Sequence, residues 1–283
     1  MSILFKLTIL ILITFFATNT YAITETLFEE WSLDLKDPII YLENEIKTNP
    51  NNYRLRFVLG ALYFELGVAK VDTKTKDIQA NLLLLDKAEK EFKEVLKIKK
   101  DYSLSYYYLG HIAMQKNANA KQAMEYYRKA IESDKQNYKA YLKLHFLYLV
   151  EKRYKEAIQL LEHAKNNFGS NIEIYYRISL TYFYMGDYQK VIENAQKALL
   201  FGKSIGTQLI LASAYSLSGN YDDAKKELED VLITDPKNRT ALLGISVVFS
   251  KTGKKEKAIE ILKKALIYYP DDSEIKKMLK ELE

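Results

Sequence analysis

The sequence has no cysteine, four prolines, three histidines and one tryptophan in 283 residues. Without cysteine there is no disulfide, no thiolate metal site and no lipid attachment at a processed cysteine. Few prolines leave long stretches free to be helical, because proline inside a helix removes a backbone N–H and clashes with the preceding turn. The histidines, His111, His145 and His163, have no histidine or carboxylate partner at metal-ligand spacing, and His-Glu-x-x-His does not occur. Gly-x-x-x-x-Gly-Lys is missing as well, so no phosphate-cradling loop is written in the chain. Acid pairs such as Glu91 with Glu94, or Asp222 with Asp223, lie among lysines and read as solvated charge. No catalytic residue, metal or cofactor is therefore assigned. The net charge of +5 is small and dispersed, which argues against nucleic acid as a partner.

What the chain does contain is a repeat. Gly110, His145, Ser179, Ala212 and Ser246 recur at intervals of 33 to 35 residues. Two further series, Ala123, Ala157, Val191, Ala224, Ala258 and Ala130, Ala164, Ala198, Val231, Ala265, keep step with each other throughout and with the first series from its second interval onward. One structural unit is thus repeated, and units of this length stack into solenoids. Within Ile205 to Asn238, the apolar residues Leu211, Ala214 and Tyr215 recur at helical spacing until Gly219-Asn220 interrupts them. A second helical stretch carries Tyr221, Ala224, Leu228 and Val231 and closes at Asp235-Pro236. Each unit is a helical hairpin, with Gly67, Gly186, Gly219 and Gly253 expected at the turns. The small residues mark places where two helices cross closely.

Ahead of the repeats, Lys6, an apolar run from Leu7 to Ala17 and the small residues of Thr20-Tyr21-Ala22 read as a secretory signal over residues 1–22, cleaved after Ala22. The run is shorter than the roughly 20 residues that span a bilayer, so membrane association is expected only before cleavage or through a partner. The protein is expected to be exported, to the periplasm or the cell surface. The abundance of Lys, Ile, Asn and Tyr fits an AT-rich coding bias and carries no functional weight.

The hairpin pattern resembles the tetratricopeptide repeat family. In the last unit the family's order of aliphatic, small, aromatic, turn glycine, alanine, apolar, alanine and proline reads Ile245, Ser246, Phe249, Gly253, Ala258, Leu262, Ala265 and Pro270. In the fourth it reads Ile178, Ser179, Tyr182, Gly186, Val191, Ala195 and Ala198. The resemblance implies an all-α, right-handed α-solenoid of stacked antiparallel helix hairpins, in a bacterial exported protein. Residues 23–52 are read as an N-terminal helix and half repeat, 53–272 as six repeats, and 273–283 as a capping helix with Ile275, Met278, Leu279 and Leu282 on one side. His145 stands at a small position and Ala113 at an aromatic one. The first repeat carries about 16 extra residues near 68–87, where Ile78, Leu82 and Leu85 share a helical face with Ala88 and Phe92 and prolong the second helix. Its Leu83 and Leu84 either meet a partner or pack on the N-terminal segment around Leu27, Phe28 and Trp31.

The resemblance also implies a noncatalytic scaffold or adaptor that holds a protein or peptide on the concave face formed by the first helices. Carried onto this chain, the ligand-facing positions are Tyr107, Tyr108 and His111, then Lys139, Lys143 and Phe146, then Tyr176, Arg177 and Phe183. Aromatics interleaved with cations suit a peptide with apolar and acidic groups. A first-helix tyrosine has a second use, filling space between repeats. The fifth and sixth repeats present Gly206, Ser213, Ser216, Gly244 and Ser250, a less adhesive set. The lysine and asparagine clamp with which part of the family grips chaperone C-termini is replaced by Phe57, Ala61, Tyr107 and His111. Two alternatives stay open: a self-associating structural subunit, and a hidden small-molecule site or enzyme.

Overall fold

A computed structural model describes residues 36–68 and 78–283. The expected signal sequence, the segment holding Leu27, Phe28 and Trp31, and the start of the insertion lie outside the described residues. The described chain is helical throughout, with no strand. A single helix, α1 (Lys36–Thr48), precedes α2 (Tyr53–Val68) and α3 (Ile78–Ile98). Then come the pair α4 (Ser103–Asn117) with α5 (Ala120–Ser133), and the helices α6 (Tyr138–Val150) and α7 (Tyr154–Phe168). They are followed by α8 (Ile172–Met185) with α9 (Tyr188–Leu199), and α10 (Ile205–Leu217) with α11 (Tyr221–Thr234). The last pair is α12 (Arg239–Lys251) with α13 (Lys255–Tyr268), and α14 (Ser273–Leu282) ends the chain. The chain divides into two units, the first running through Leu147 and the second from Tyr148 to Glu283.

Except for α4, which Tyr102 precedes without a side-chain cap, the first helices start where a short polar side chain can accept from an otherwise unpaired helical N–H. Asn52 accepts from Leu55 N at 3.3 Å, Asn137 from Ala140 N at 3.2 Å, Asn171 from Ile174 N at 3.0 Å and Asn238 from Ala241 N at 3.0 Å. Ser204 and Asp272 cap α10 and α14 in the same way. The turns inside the hairpins need left-handed backbone, which glycine adopts without steric cost: φ is 77° at Gly186, 82° at Gly219 and 75° at Gly253. Ala118, between α4 and α5, and Lys152, between α6 and α7, also take this conformation, each at a cost of roughly 1 to 2 kcal/mol. Gly67 does not match its expected place in a turn. It lies within α2, where an added Cβ would come within 3.0 Å of Leu85, so it is a close-approach glycine of the α2/α3 pair.

In the first unit the core is aromatic. Phe57, Phe92 and Tyr127 are almost fully buried, and Tyr108 stacks on Phe92 with centroids 5.0 Å apart. Gly110 admits Tyr127, because a Cβ there would lie 2.6 Å from the ring. A buried polar chain fastens the hairpin ends: Asn137 Nδ2 donates to Ser103 Oγ at 2.8 Å, and Ser103 Oγ donates to the Ala130 carbonyl at 2.7 Å. The expected stripe on α3 is buried at Leu85, Ala88 and Phe92, but Leu82 and Leu83 are exposed. In the second unit the corresponding space holds small and aliphatic side chains, including Ala212, Ala214, Ala224, Leu228, Val231 and Ile245. Helix α14 buries Ile275 against Leu242, Leu262 and Ala265, and Arg239 of α12 holds Asp272 at 2.5 Å and Glu274 at 2.7 Å.

Candidate interaction surfaces

In the first unit, α4 and α6 carry six of the expected site residues. Tyr108 belongs to the core: its ring stacks on Phe92 and meets Phe57 and Phe64 edge-on, at 5.8 and 5.1 Å. Much of the ring is thus engaged in packing, although the residue is only partly buried. Tyr107 is half-buried beside His111, with ring centroids 4.7 Å apart. His111 is further enclosed by Phe64 and Tyr127. Its Nε2 is buried and has no hydrogen-bond partner. Burial, followed by the charges of Lys143 and Lys139, lowers the imidazole pKa to about 4, so the ring is neutral at ordinary pH. Along α6, Lys139 is half-buried, Lys143 is exposed, and Phe146 is 58% exposed. His145, at the small position, is fully buried.

The first unit also has a cavity of about 450 Å³ between α1, α2 and α3, bordered by Glu43, Lys47, Tyr63, Lys87 and Glu91. Its charges are largely satisfied within the protein. Tyr63 donates to Glu43, Arg56 pairs with Glu91 at 2.8 Å, and Lys87 lies 5.1 Å from the Tyr63 ring centre. Burial raises the Tyr63 pKa.

In the second unit, α8 carries Tyr176, Arg177 and Phe183. Arg177 is bound to Glu173, one turn back, at 2.6 Å, so its guanidinium already has a carboxylate. Tyr176 packs partly into the core formed with Val191, Ala195 and Leu211. Phe183 borders a groove of about 330 Å³ on the first-helix side of the unit. Leu209, Ser213 and Ser216 of α10, Leu243 and Val247 of α12 and Met278 of α14 form much of the rest. The small residues expected to be less adhesive are what leave this space open. At Gly244 an added Cβ would lie 2.9 Å from Leu228, so the glycine lets that leucine reach the groove. Ser213 turns its hydroxyl back to the Leu209 carbonyl at 2.8 Å, and Glu274 at the border is held by Arg239. The groove is thus mainly apolar, and the acid at its edge is paired. Position in a repeat pointed to side chains; a groove made by short side chains is visible from the sequence only as a run of Ser and Gly on one helical face.

Among the described residues, no group of three or more His, Cys, Asp or Glu could hold a metal ion, and no helix is long and apolar enough to cross a membrane. The arrangement offers contact surfaces, one basic and aromatic in the first unit and one apolar in the second.

Comparison with known proteins agrees with the architecture. Models described as tetratricopeptide repeat match residues 116–177 and 215–282, and a second such model matches 172–200. The human protein O-mannosyl-transferase TMTC3 is 27% identical over 207 residues, 69% of this chain. This chain spans only 22% of that relative's length. Among solved structures, the C-terminal part of a TPR repeat-containing protein from Cytophaga hutchinsonii is similar at a TM-score of 0.66 and 18% identity, over 85% of this chain and 93% of that one. Pseudomonas aeruginosa PilF is similar at 0.58 and 19% identity, over 80% and 99%. YrrB, described as a TPR protein with an unusual peptide-binding site, is similar at 0.54 and 22% identity, over 67% and 97%. At these identities the structures speak for the fold alone.

Proposed function

Because the chain belongs to the tetratricopeptide repeat family, we propose that it is a noncatalytic scaffold of a bacterial cell envelope, holding a partner protein on its first-helix faces. The family implies protein or peptide binding. The observation that carries the reading is that both units keep contact surface on that side: Lys143 and Phe146 project in the first, and the apolar groove opens in the second. Nothing at catalytic spacing accompanies either. Export rests on the N-terminal residues alone, and sequencing of the mature protein from fractionated cells should begin at Ile23.

Cross-linking pull-down from native envelopes tests the scaffold. The wild-type chain should recover a partner that is lost with Lys143→Glu or with Ser216→Trp, each checked for unchanged helical circular dichroism. Recovery of the same partner by all three proteins would sink the assignment to these faces.

A second reading, self-association, is favoured by one feature. Leu200, Ile233 and Ile267 follow equivalent positions in successive hairpins and are 84%, 79% and 78% exposed. Surface aliphatics in register offer a face for another copy. Sedimentation that shows a mass rising with concentration, and restored to monomer by Ile233→Lys, would support it.

A further inference from the structure

We propose that the cavity between α1, α2 and α3 is a binding site for a small organic anion, with a carboxylate or phosphate head on an apolar body. The inference goes beyond the scaffold reading, since no residue on its border belongs to the surfaces assigned to the partner. Three helices supply the lining: Glu43, Ile46 and Lys47 from α1, Leu59 and Tyr63 from α2, and Lys87, Lys90 and Glu91 from α3. Within each set the residues are three or four apart, which places them on one helical face. Helices α1 and α3 both pack against α2. Lysines therefore approach the cavity from both α1 and α3, and the buried residues Ile46, Leu59 and Tyr63 supply apolar lining between them.

The carboxylates on the border are engaged by donors of the protein, whereas the ammonium groups have no carboxylate of their own. Glu91 accepts from Arg56 at 2.8 Å, and Glu43 accepts from the Tyr63 hydroxyl. Among the described residues none of Lys47, Lys87 and Lys90 forms a salt bridge. Lys47 donates to the Asn44 amide oxygen at 3.0 Å, and Lys87 lies 5.1 Å from the Tyr63 ring centre, both neutral partners. Lys90 feels the charge of Glu94 without bonding to it, and that carboxylate is held by Lys97 at 2.6 Å. With Glu91 neutralised by Arg56, three ammonium groups share the border with one remaining carboxylate, so an incoming anion relieves a repulsion already present. The volume of about 450 Å³ lies within the roughly 300 to 1,000 Å³ of small-molecule sites. Apolar side chains beside the cations favour an organic anion over a bare inorganic one, because only the former gains by covering Ile46 and Leu59.

The test uses the full chain and three probes with one ring system, 2-naphthoate, 2-naphthyl phosphate and the neutral 2-naphthalenemethanol, followed by titration calorimetry. At least one of the two anions should bind with a Kd below about 1 mM, at one site per chain, and about tenfold more tightly than the alcohol. Whichever anion binds more tightly identifies the head group, and its advantage should shrink as salt rises. The advantage should fall to near one in the Lys47→Gln, Lys90→Gln chain, whose substitutions are both at exposed positions, and stay unchanged in a Lys93→Gln control. It should also survive Ser216→Trp, which fills the groove of the second unit. No binding of either anion at millimolar concentration, anions that bind no better than the alcohol, or an advantage untouched by the double substitution overturns the proposal. Loss of anion binding in the Ser216→Trp chain would place the anion in the other groove and overturn it equally. The scaffold reading is decided separately, by the pull-down, because the double variant leaves Lys143 and Ser216 in place.

Discussion

In the first unit rings such as Phe57, Phe92 and Tyr127 are almost fully buried between helices, while in the second the aromatics are partly buried and the innermost apolar side chains are alanines and branched aliphatics. Tyr127 and Leu228 occupy equivalent places, four residues after Ala123 and Ala224, and both are nearly fully buried. The tyrosine needs Gly110 opposite it and crowds His111 into an aromatic box. The leucine reaches past Gly244 and leaves open space on the first-helix side. The same hairpin thus supports a filled, basic face or an open, apolar one, and the difference lies in how much side-chain volume the second helix sends across. Nearest-neighbour packing makes this local choice possible, because a repeat need satisfy only the repeats beside it.

Truncating the two equivalent residues is the most forceful way to break the comparison. Tyr127→Ala should destabilise by about 4 kcal/mol and Leu228→Ala by about 3 kcal/mol. Because a stacked array need not unfold in one step, hydrogen exchange should show the loss concentrated in α4 and α5 for the first and in α11 and α12 for the second. Equal loss of protection along the whole chain would contradict local packing.

Acidification should separate the units next. The folded-state pKa of His111, about 4, is below the ordinary value for histidine through burial and the two lysines. The unfolded chain therefore binds the proton first, and stability falls as pH drops from about 6.5 towards 4, by up to about 3 kcal/mol. Thermal melts over this range should show that slope, and His111→Gln should remove it. A slope unchanged by the substitution would place the titration elsewhere.

A smaller effect is expected from filling the close-approach sites. Gly110→Ala should cost about 2 kcal/mol, since the Tyr127 ring has to move. Gly206→Ala, whose Cβ would be 3.6 Å from Tyr176, should be neutral or stabilising by under about 1 kcal/mol. Urea midpoints of the two variants read this directly. At the lower end, Lys197→Ala, which breaks an exposed pair with Glu193 on α9, should change stability by less than about 0.5 kcal/mol.

The family and the all-α hairpin fold were legible because packing demands recur. A helix crossing that favours small side chains leaves a mark every 33 to 35 residues, and three marks in phase are hard to produce otherwise. Gly67 was misplaced because a glycine needed for left-handed backbone and a glycine needed for close approach look alike in sequence. Arg177 had a legible intrahelical acid, Glu173, four residues earlier. The engagement of Tyr108 was not legible, since Phe57, Phe64 and Phe92 come from two other helices. The groove of the second unit was least legible of all, because it consists of side chains that are short.

By itself the sequence determined the repeat, the helical class, the absence of a thiol and the scarcity of catalytic pairings, all of which follow from residue identity and spacing. Only the tertiary structure decided which first-helix residues are spent on the core and which stay exposed. That division depends on side chains arriving from neighbouring helices, and a linear pattern records the position of each residue but not the volume packed against it.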